Sequence, residues 1–188
     1  MKAKAWMRTI GFALGMSLMV LLAACGGDKQ DSDPNQIKVF IMGTEGFPQE
    51  YADKIKQNLQ QKLGNDLTVT VSTTPVYSAE KLVLEYVDRT DDIIILPEND
   101  MKAYAVNGGH MVLDNDFSAD TYKSGVTKGA ANENDTEPTK QKEHLFAIPV
   151  SQMSSFKDIG YTRDDLYATI PIFANHEQAV NVLKALTD

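Results

Sequence analysis

The sequence has one cysteine, Cys25, and one tryptophan among its 188 residues. A single cysteine cannot form a disulfide bond within the chain, so the folded part must be stabilised by its apolar core. Basic residues are also scarce, because 18 lysines and arginines face 26 aspartates and glutamates, for a formal net charge of −8. Nucleic-acid phosphates are bound mainly by lysine and arginine, so this balance argues against a nucleic-acid partner.

The sequence also lacks an apolar run of the roughly 20 residues that a membrane-spanning helix needs. Its longest such run, from Ile10 to Ala24, follows three basic residues and carries no charge. A basic start, an apolar stretch and small residues before a cleavage point are typical of a secretory signal peptide. The ending Leu-Ala-Ala-Cys, residues 22–25, resembles the lipobox of bacterial lipoproteins. That resemblance implies cleavage before Cys25 and a diacylglycerol on its thiol, whereas an ordinary cleaved signal is the alternative.

The predicted mature protein is strongly acidic. Residues 1–24 hold three of the 18 basic residues and no acidic ones, so 15 basic and 26 acidic residues remain, a net charge of −11. Such a surface is not attracted to anionic lipids, and the lipid on Cys25 would have to hold the protein at the membrane. The sequence therefore predicts a lipoprotein anchored at the extracytoplasmic face of the cell membrane.

Beyond the signal peptide, residues 25–36 are polar and predict a flexible tether, and residues 37–188 predict one domain. Apolar patterns predict strands at 37–42, 67–71, 92–97, 145–150 and 167–170, and helices at 48–63, 78–88, 100–107 and 175–186. In the second helix, the stripe predicted to be buried consists of Leu82, Val83, Tyr86 and Val87. Residues 115–143 are polar and predict a solvated loop.

Strands that alternate with helices predict an α/β domain with a mostly parallel sheet and helices on both faces. Three segments then resemble extracellular solute-binding proteins: DDIIILPENDMKAYAVNGGHMVLDN (91–115), EHLFAIPV (143–150) and DLYATIPIFANHEQAVNVLKAL (165–186). The family is the substrate-binding lipoproteins of ABC importers, which have the type 2 periplasmic-binding-protein fold. Its members close two lobes around a ligand, but residues 151–166 are too few for a second lobe. The resemblance therefore implies a single lobe.

Ligands of open α/β sheets bind beyond the carboxyl ends of the strands. This rule selects the residues that follow the first, third and fourth predicted strands, and in the resembled family such loops line the ligand cleft. The candidate ligand-binding residues are Thr44, Glu45, Glu98, Asn99, Ser151 and Gln152. The alternative for each is a helix cap, a turn residue or a solvated charge. Tyr77, Tyr104 and Tyr122 could form an aromatic platform, although packing residues are the simpler interpretation.

No pattern in the sequence predicts catalysis. The histidines His110, His144 and His176 are far apart and have no zinc-ligand spacing, and Asp114-Asn115-Asp116 lacks the rest of a calcium loop. A nucleophile elbow and a phosphate-binding loop are also missing from the sequence. We expect no enzyme activity, no metal and no cofactor apart from the lipid on Cys25.

Two functions remain open at this stage. The first is a lipoprotein that binds a small solute or a short peptide through its strand-end loops. The alternative is a protein-interaction module that docks on a membrane complex or pairs with a second copy of itself, since binding residues concentrate on loops over a rigid scaffold.

Overall fold

The computed structural model describes residues 35–64, 67–132 and 134–188. The predicted signal peptide 1–24, Cys25 and the tether up to residue 34 lie outside the described residues. In the described part, no helix combines the length and the apolar character that a bilayer crossing requires.

Seven strands and five helices make up the described domain. The strands are β1 Gln36–Ile41, β2 Thr68–Thr73, β3 Ile93–Pro97, β4 Val126–Gly129, β5 Lys142–Leu145, β6 Ala147–Pro149 and β7 Leu166–Thr169. The helices are α1 Gln49–Leu63, α2 Ala79–Asp88, α3 Glu98–Val106, α4 Ser154–Asp158 and α5 His176–Thr187. Two 3₁₀ turns, Lys123–Gly125 and Val150–Gln152, complete the set.

Five of the strands form the central sheet in the order β2-β1-β3-β7-β6. Strand β1 is parallel to β2 and β3, and β7 is antiparallel to both β3 and β6. Four strands therefore run in one direction, and only β7 is reversed. The predicted fold class, an α/β lobe with a mostly parallel sheet, is confirmed.

Helices cover both faces of this sheet. One face packs against α1, α4 and α5 through an aliphatic and aromatic cluster that includes Ile55, Phe156 and Leu183. The other face packs against α2 and α3 through a smaller cluster that includes Leu82 and Met101. Strand β3 lies in the middle and is buried along its whole length, which explains why its sequence is a continuous apolar run.

Local sequence signals account for most helix ends. Helix α1 begins after Pro48, whose fixed φ suits a helix start, and ends at Gly64, which has a φ of 76°. Helix α5 begins after Asn175, whose side-chain oxygen accepts a hydrogen bond from the backbone amide of Gln178. The predicted helices at 48–63 and 175–186 are confirmed.

Two predicted elements and one predicted loop differ in the structure. Helix α3 begins at Glu98 rather than Asp100, because the chain passes from β3 into the helix without a loop. The predicted strand 145–150 is divided at Phe146, so that its first residue pairs with β4 and its later residues join the central sheet. The polar stretch 115–143 contains β4 and one 3₁₀ turn, in segments too short to show alternation.

The buried face of α2 also differs from the prediction. Leu82 and Glu85 face the sheet, whereas Val83 and Val87 point outwards with 51% and 66% of their surface exposed. Glu85 is only 8% exposed, and its carboxylate lies 2.5 Å from the Lys81 ammonium. An ion pair within the helix thus allows a charged residue to occupy a position that hydrophobic periodicity assigns to an apolar one.

Two further ionisable groups are buried near the sheet. Asp91 is 5% exposed, and burial, together with the neighbouring Glu85 carboxyl, raises its pKa to about 8. His110 is completely buried, and burial lowers its pKa to about 3. The Nε2 atom of His110 lies 2.6 Å from the Tyr86 hydroxyl, which ties α2 to the segment that follows α3. Both groups are therefore neutral in the folded protein near pH 6.

Candidate functional site

The candidate site lies at the edge of the sheet where β1, β2, β3 and β6 end. Because these four strands share one direction, the residues that follow them meet at this edge. Since β7 runs the other way, the segment that leads into it reaches the same edge. This edge therefore carries five segments from distant parts of the chain, residues 43–48, 73–78, 97–100, 150–152 and 161–165.

A cleft of about 390 Å³ opens at this edge between the loop after β1 and the end of β2. Its lining combines apolar surface with a polar rim and consists of Glu45, Gly46, Phe47, Pro48, Gln49, Thr73 and Pro75. Pro48 and Gln49 belong to the N-terminal end of α1, where the helix dipole is positive. The size and lining suit a small ligand or a few residues of a peptide.

Hydrogen bonds to the backbone of Phe47 hold the two walls of the cleft together. The Phe47 amide donates to the Thr74 carbonyl at 3.0 Å, and the Thr73 hydroxyl donates to the Phe47 carbonyl at 3.0 Å. Gly46 has a φ of +81°, and a Cβ atom there would lie 2.0 Å from the Pro75 carbonyl oxygen. Only glycine allows this close approach of the β1 loop to the segment after β2.

The cleft has an aromatic floor. The Phe47 ring is 1% exposed and packs against Tyr51, Phe156 and Tyr161, with centroid distances of 6.0, 6.1 and 5.3 Å. These rings belong to α1, α4 and the segment after α4. They meet mainly edge to face, the arrangement that aromatic quadrupoles favour. One side chain of the β1 loop thus connects the cleft to the main core.

A charged network borders the cleft. The Arg163 guanidinium lies 2.8 Å from the Glu45 carboxylate and 2.7 Å from the Asp165 carboxylate. The Tyr161 hydroxyl donates to Asp165 at 2.8 Å. Burial and this hydrogen bond to a carboxylate raise the pKa of Tyr161, so the phenol stays protonated. Glu45 is 77% exposed, so its ion pair with Arg163 contributes little stability but places the carboxylate at the cleft.

A second polar pair lies at the same edge. The Tyr77 hydroxyl donates to Asp100 Oδ1 at 3.1 Å, which links the segment after β2 to the first turn of α3. Partial burial raises the pKa of Asp100, and the hydrogen bond from Tyr77 opposes this effect. The Tyr77 ring remains 39% exposed and is available for contact.

The structure brings only some of the predicted site residues to the cleft. Glu45 lines it, and Thr44 lies in the exposed turn beside it. Glu98 and Asn99 lie in the first turn of α3 instead of a loop, and Glu98 is ion-paired with Lys102. Ser151 and Gln152 form a 3₁₀ turn after β6. In the sheet, β7 lies between β6 and β3. None of these four lines the cleft.

The aromatic residues considered above do not form one platform. Tyr104 stacks on Tyr86 at a centroid distance of 3.8 Å, and Tyr122 packs edge to face against Phe117 at 6.0 Å. Of the three, Tyr77 alone lies in a segment between a strand end and the following helix. Tertiary packing therefore explains Tyr104 and Tyr122.

The histidines have partners other than a metal. His144 Nδ1 lies 2.6 Å from Asp114, and His176 Nε2 lies 3.0 Å from Asp116, so that one acidic turn contacts β5 and the start of α5. Within the described ranges, no three histidine, cysteine, aspartate or glutamate side chains are grouped as metal ligands.

Sequence reasoning missed Phe47, Gln49, Tyr161, Arg163 and Asp165 as residues at the site. Arg163 and Glu45 are separated by 118 positions, and no local pattern connects them. The one available signal was that Arg163 is the only lysine or arginine between Lys157 and Lys184. An isolated cation beside acidic residues favours an ion pair, but the fold decides which distant carboxylate is its partner.

Comparison with known proteins found similarity to a solved structure but no family assignment. No protein-family model matches this sequence, and no curated protein is significantly similar to it. Among solved structures, the chain is similar to an extracellular solute-binding protein family 1 from Alicyclobacillus acidocaldarius subsp. acidocaldarius DSM 446. The identity is 17% and the TM-score 0.40, over 63% of this chain and 29% of that protein. The matched part of the chain therefore spans less than a third of the length of that protein.

Proposed function

We propose that this protein is a lipid-anchored, extracytoplasmic lipoprotein whose single α/β lobe binds a small solute or a short peptide without catalysis. The observation that carries the binding role is the cleft between the β1 loop and the end of β2. It lies at the strand-end edge, where ligands of α/β sheets bind.

The cleft combines the features that recognition of a small polar ligand requires. Its floor is apolar, and its rim offers the Glu45 carboxylate, the Gln49 amide and the N-terminal end of α1. The hydrogen bonds that Phe47 makes with Thr73 and Thr74 restrain the cleft, so little conformational entropy is lost on binding. Because a single lobe has no second lobe to close over the ligand, we expect modest affinity.

The anchoring part of the proposal is supported by the sequence alone. The charged start, the apolar run and the Leu-Ala-Ala-Cys ending precede a polar stretch that reaches the first strand. The absence of enzyme activity is supported by the missing nucleophile and base motifs.

A protein-interaction module is the second candidate function. The observation that favours it is the outward apolar face of α2, where Val83 and Val87 are exposed. This surface is distinct from the cleft, and the two functions are compatible.

Filling the cleft should weaken ligand binding. The purified chain is first screened against sugars, amino acids and short peptides, with thermal unfolding followed by circular dichroism. A ligand at 100 times its Kd adds about 2.7 kcal/mol, which raises the Tm by roughly 5–10 °C for a domain of this size. For any ligand found, Gln49→Trp is expected to weaken binding at least tenfold, because the larger ring occupies the cleft.

The matched control is Gln57→Trp, on the same helix and exposed, but outside the cleft lining. It should change the Kd less than twofold. A folded protein that is stabilised by nothing in the screen, or equal effects of the two variants, would count against solute binding at this cleft.

Substituting Cys25→Ser should remove the lipid attachment site. The variant is expected to leave the membrane fraction or to keep an uncleaved signal peptide, because serine cannot form the thioether. Fractionation followed by mass spectrometry of the N-terminus distinguishes these results. A processed variant that stays in the membrane fraction as the wild type does would refute lipid anchoring through Cys25.

A further inference from the structure

The two edges of the central sheet differ in how they are protected. At β6, the Gly125 carbonyl accepts a hydrogen bond from the Phe146 amide at 3.1 Å, and a Cβ atom on Gly125 would lie 1.8 Å from the Ala147 carbonyl oxygen. A 3₁₀ turn therefore packs directly against that edge strand. At the other edge, β2 has no further strand beside it among the described residues. It also contains no proline and no charged residue, which are common protections of an exposed edge.

The outward side of β2 is formed by the backbone groups of alternate residues. Successive residues of a paired strand direct their amide and carbonyl groups to opposite sides. The Thr68 amide donates to the Asn35 carbonyl at 2.7 Å, so in the regular register of the two strands the even-numbered residues of β2 bond to β1. The odd-numbered residues, Val69, Val71 and Thr73, therefore direct their backbone groups away from the sheet.

One side chain of α1 caps the first part of this edge. Gln60 accepts a hydrogen bond from the Val69 amide at 3.2 Å and donates one to the Leu67 carbonyl at 2.7 Å. Val69 is completely buried beneath this contact. Accessibility increases after it, since Val71 is 7% exposed and Thr73 is half-buried. In the part of the chain that the structure describes, the unpaired side of β2 therefore begins at Val71.

The unpaired half of the edge leads directly into the cleft. Thr73 and Pro75 belong to the lining of the cleft. The next residues along the chain, Val76 and Tyr77, are 65% and 39% exposed. Unpaired backbone groups, a cavity and apolar surface are thus adjacent within residues 71–77. An extended peptide complements all three, because its backbone pairs with a strand edge while alternate side chains enter pockets.

We propose that the ligand of the cleft is an extended peptide, which adds a short strand to the edge of β2 at Val71 and Thr73 and places one side chain in the cleft. The inference rests on the proposed function and selects a peptide over sugars and other solutes that have no peptide backbone. Because backbone hydrogen bonds supply much of the contact, the site should tolerate many peptide sequences.

A second copy of this chain fits the same edge less well. Gln60 leaves only Val71 and Thr73 to pair, so the contact falls far below the roughly 800 Å² per partner of a standard interface. Two copies that each have a net charge of −8 also repel one another. A short peptide needs neither a large interface nor a matching acidic surface.

Amide hydrogen exchange, measured by NMR on the full chain, tests the proposal. In the free protein the amides of Val71 and Thr73 should exchange faster than those of Thr70 and Ser72, which bond to β1. The probes are capped alanine pentapeptides that differ in their central residue. A saturating peptide should slow exchange at Val71 and Thr73 at least tenfold and change it less than twofold at Thr70 and Ser72.

Two isomeric peptides provide the matched control. In one, N-methyl groups block the amides along one edge of the extended peptide, and in the other they block the amides along the opposite edge. Only one edge of a peptide can pair with β2, so the Kd values of the two isomers should differ at least tenfold. Equal Kd values would overturn strand addition.

The remaining outcomes separate this inference from the proposed function. A peptide whose binding is weakened by Gln49→Trp, but which leaves exchange at Val71 unchanged, would overturn the edge pairing and keep the cleft as the binding site. A sugar or amino acid that binds the cleft when no peptide does would overturn the peptide class alone. Slower exchange at Val71 with rising protein concentration, in the absence of peptide, would make a second copy the occupant. Binding of no ligand at all would overturn both proposals.

Discussion

Phe47→Ala is expected to lower the free energy of unfolding by about 3–5 kcal/mol, the usual cost of removing a large aromatic side chain from a core. The ring is 1% exposed and packs against three other aromatic rings, which belong to α1, α4 and the segment after α4. The cavity that remains cannot be filled easily, because the Phe47 backbone is fixed by hydrogen bonds to the end of β2.

Urea unfolding followed by circular dichroism measures this effect. Phe47→Leu, which keeps most of the apolar volume, is the control and should lose clearly less stability than Phe47→Ala. Because Phe47 also lines the cleft, any ligand that binds there should bind Phe47→Ala more weakly. A loss below about 1 kcal/mol would contradict the central role of this ring in the core.

Asp91→Asn is expected to stabilise the protein above pH 8 by roughly 2–4 kcal/mol and to have little effect at pH 4. Burial and the Glu85 carboxyl raise the pKa of Asp91 from 3.8 to about 8. A pKa difference of this size between the folded and unfolded states changes the free energy of unfolding by at most about 6 kcal/mol. Asparagine has nearly the same shape and cannot ionise, so the cost of ionising a buried carboxyl disappears.

The direction of the pH dependence follows from the raised pKa. Above pH 4 the unfolded state loses the Asp91 proton, whereas the folded state keeps it. The contribution of Asp91 to the stability of the folded state is therefore complete below pH 4. It is lost as the pH rises through about 8. His110, whose folded pKa of about 3 lies below the ordinary value, acts in the opposite direction between pH 3 and 6.5. Since His110 is unchanged in the variant, the difference between variant and wild type isolates Asp91.

Urea unfolding at pH 4, 6, 8 and 9 provides the measurement. Asp53→Asn, at an exposed position on α1, is the control and should leave the pH dependence as it is in the wild type. If the stability difference between Asp91→Asn and the wild type were constant from pH 4 to pH 9, Asp91 would not be protonated in the folded state.

The residues at the cleft show how function depends on long-range packing. Glu45 is the one predicted candidate that lines the cleft, and a general rule about strand ends found it. The same rule selected Ser151 and Gln152, which share the sheet edge but follow a strand two positions away from β3. Gln49 and Phe47 were missed because they appear in the sequence only as a helix start and an apolar residue.

Helix α2 illustrates the same limit for the fold. Leu82, Val83, Tyr86 and Val87 are a valid apolar stripe by periodicity, and α2 does lie over the sheet. However, the helix is apolar over a wide arc, and periodicity cannot decide which part of that arc faces inwards. Packing turned Leu82 and Glu85 towards the sheet and left Val83 and Val87 exposed.

The sequence by itself determined the α/β class, the strands β1 and β3 and the helices α1 and α5. These elements carry their own signals, such as the buried Ile93–Pro97 run and the Asn175 cap, which act within a few residues. Only the tertiary structure decided the reversed direction of β7, the division of the strand at Phe146, the outward face of α2 and the contact of Arg163 with Glu45. The physical reason is that these features depend on which distant surfaces pack together, and local propensity contains no information about a partner more than 100 residues away.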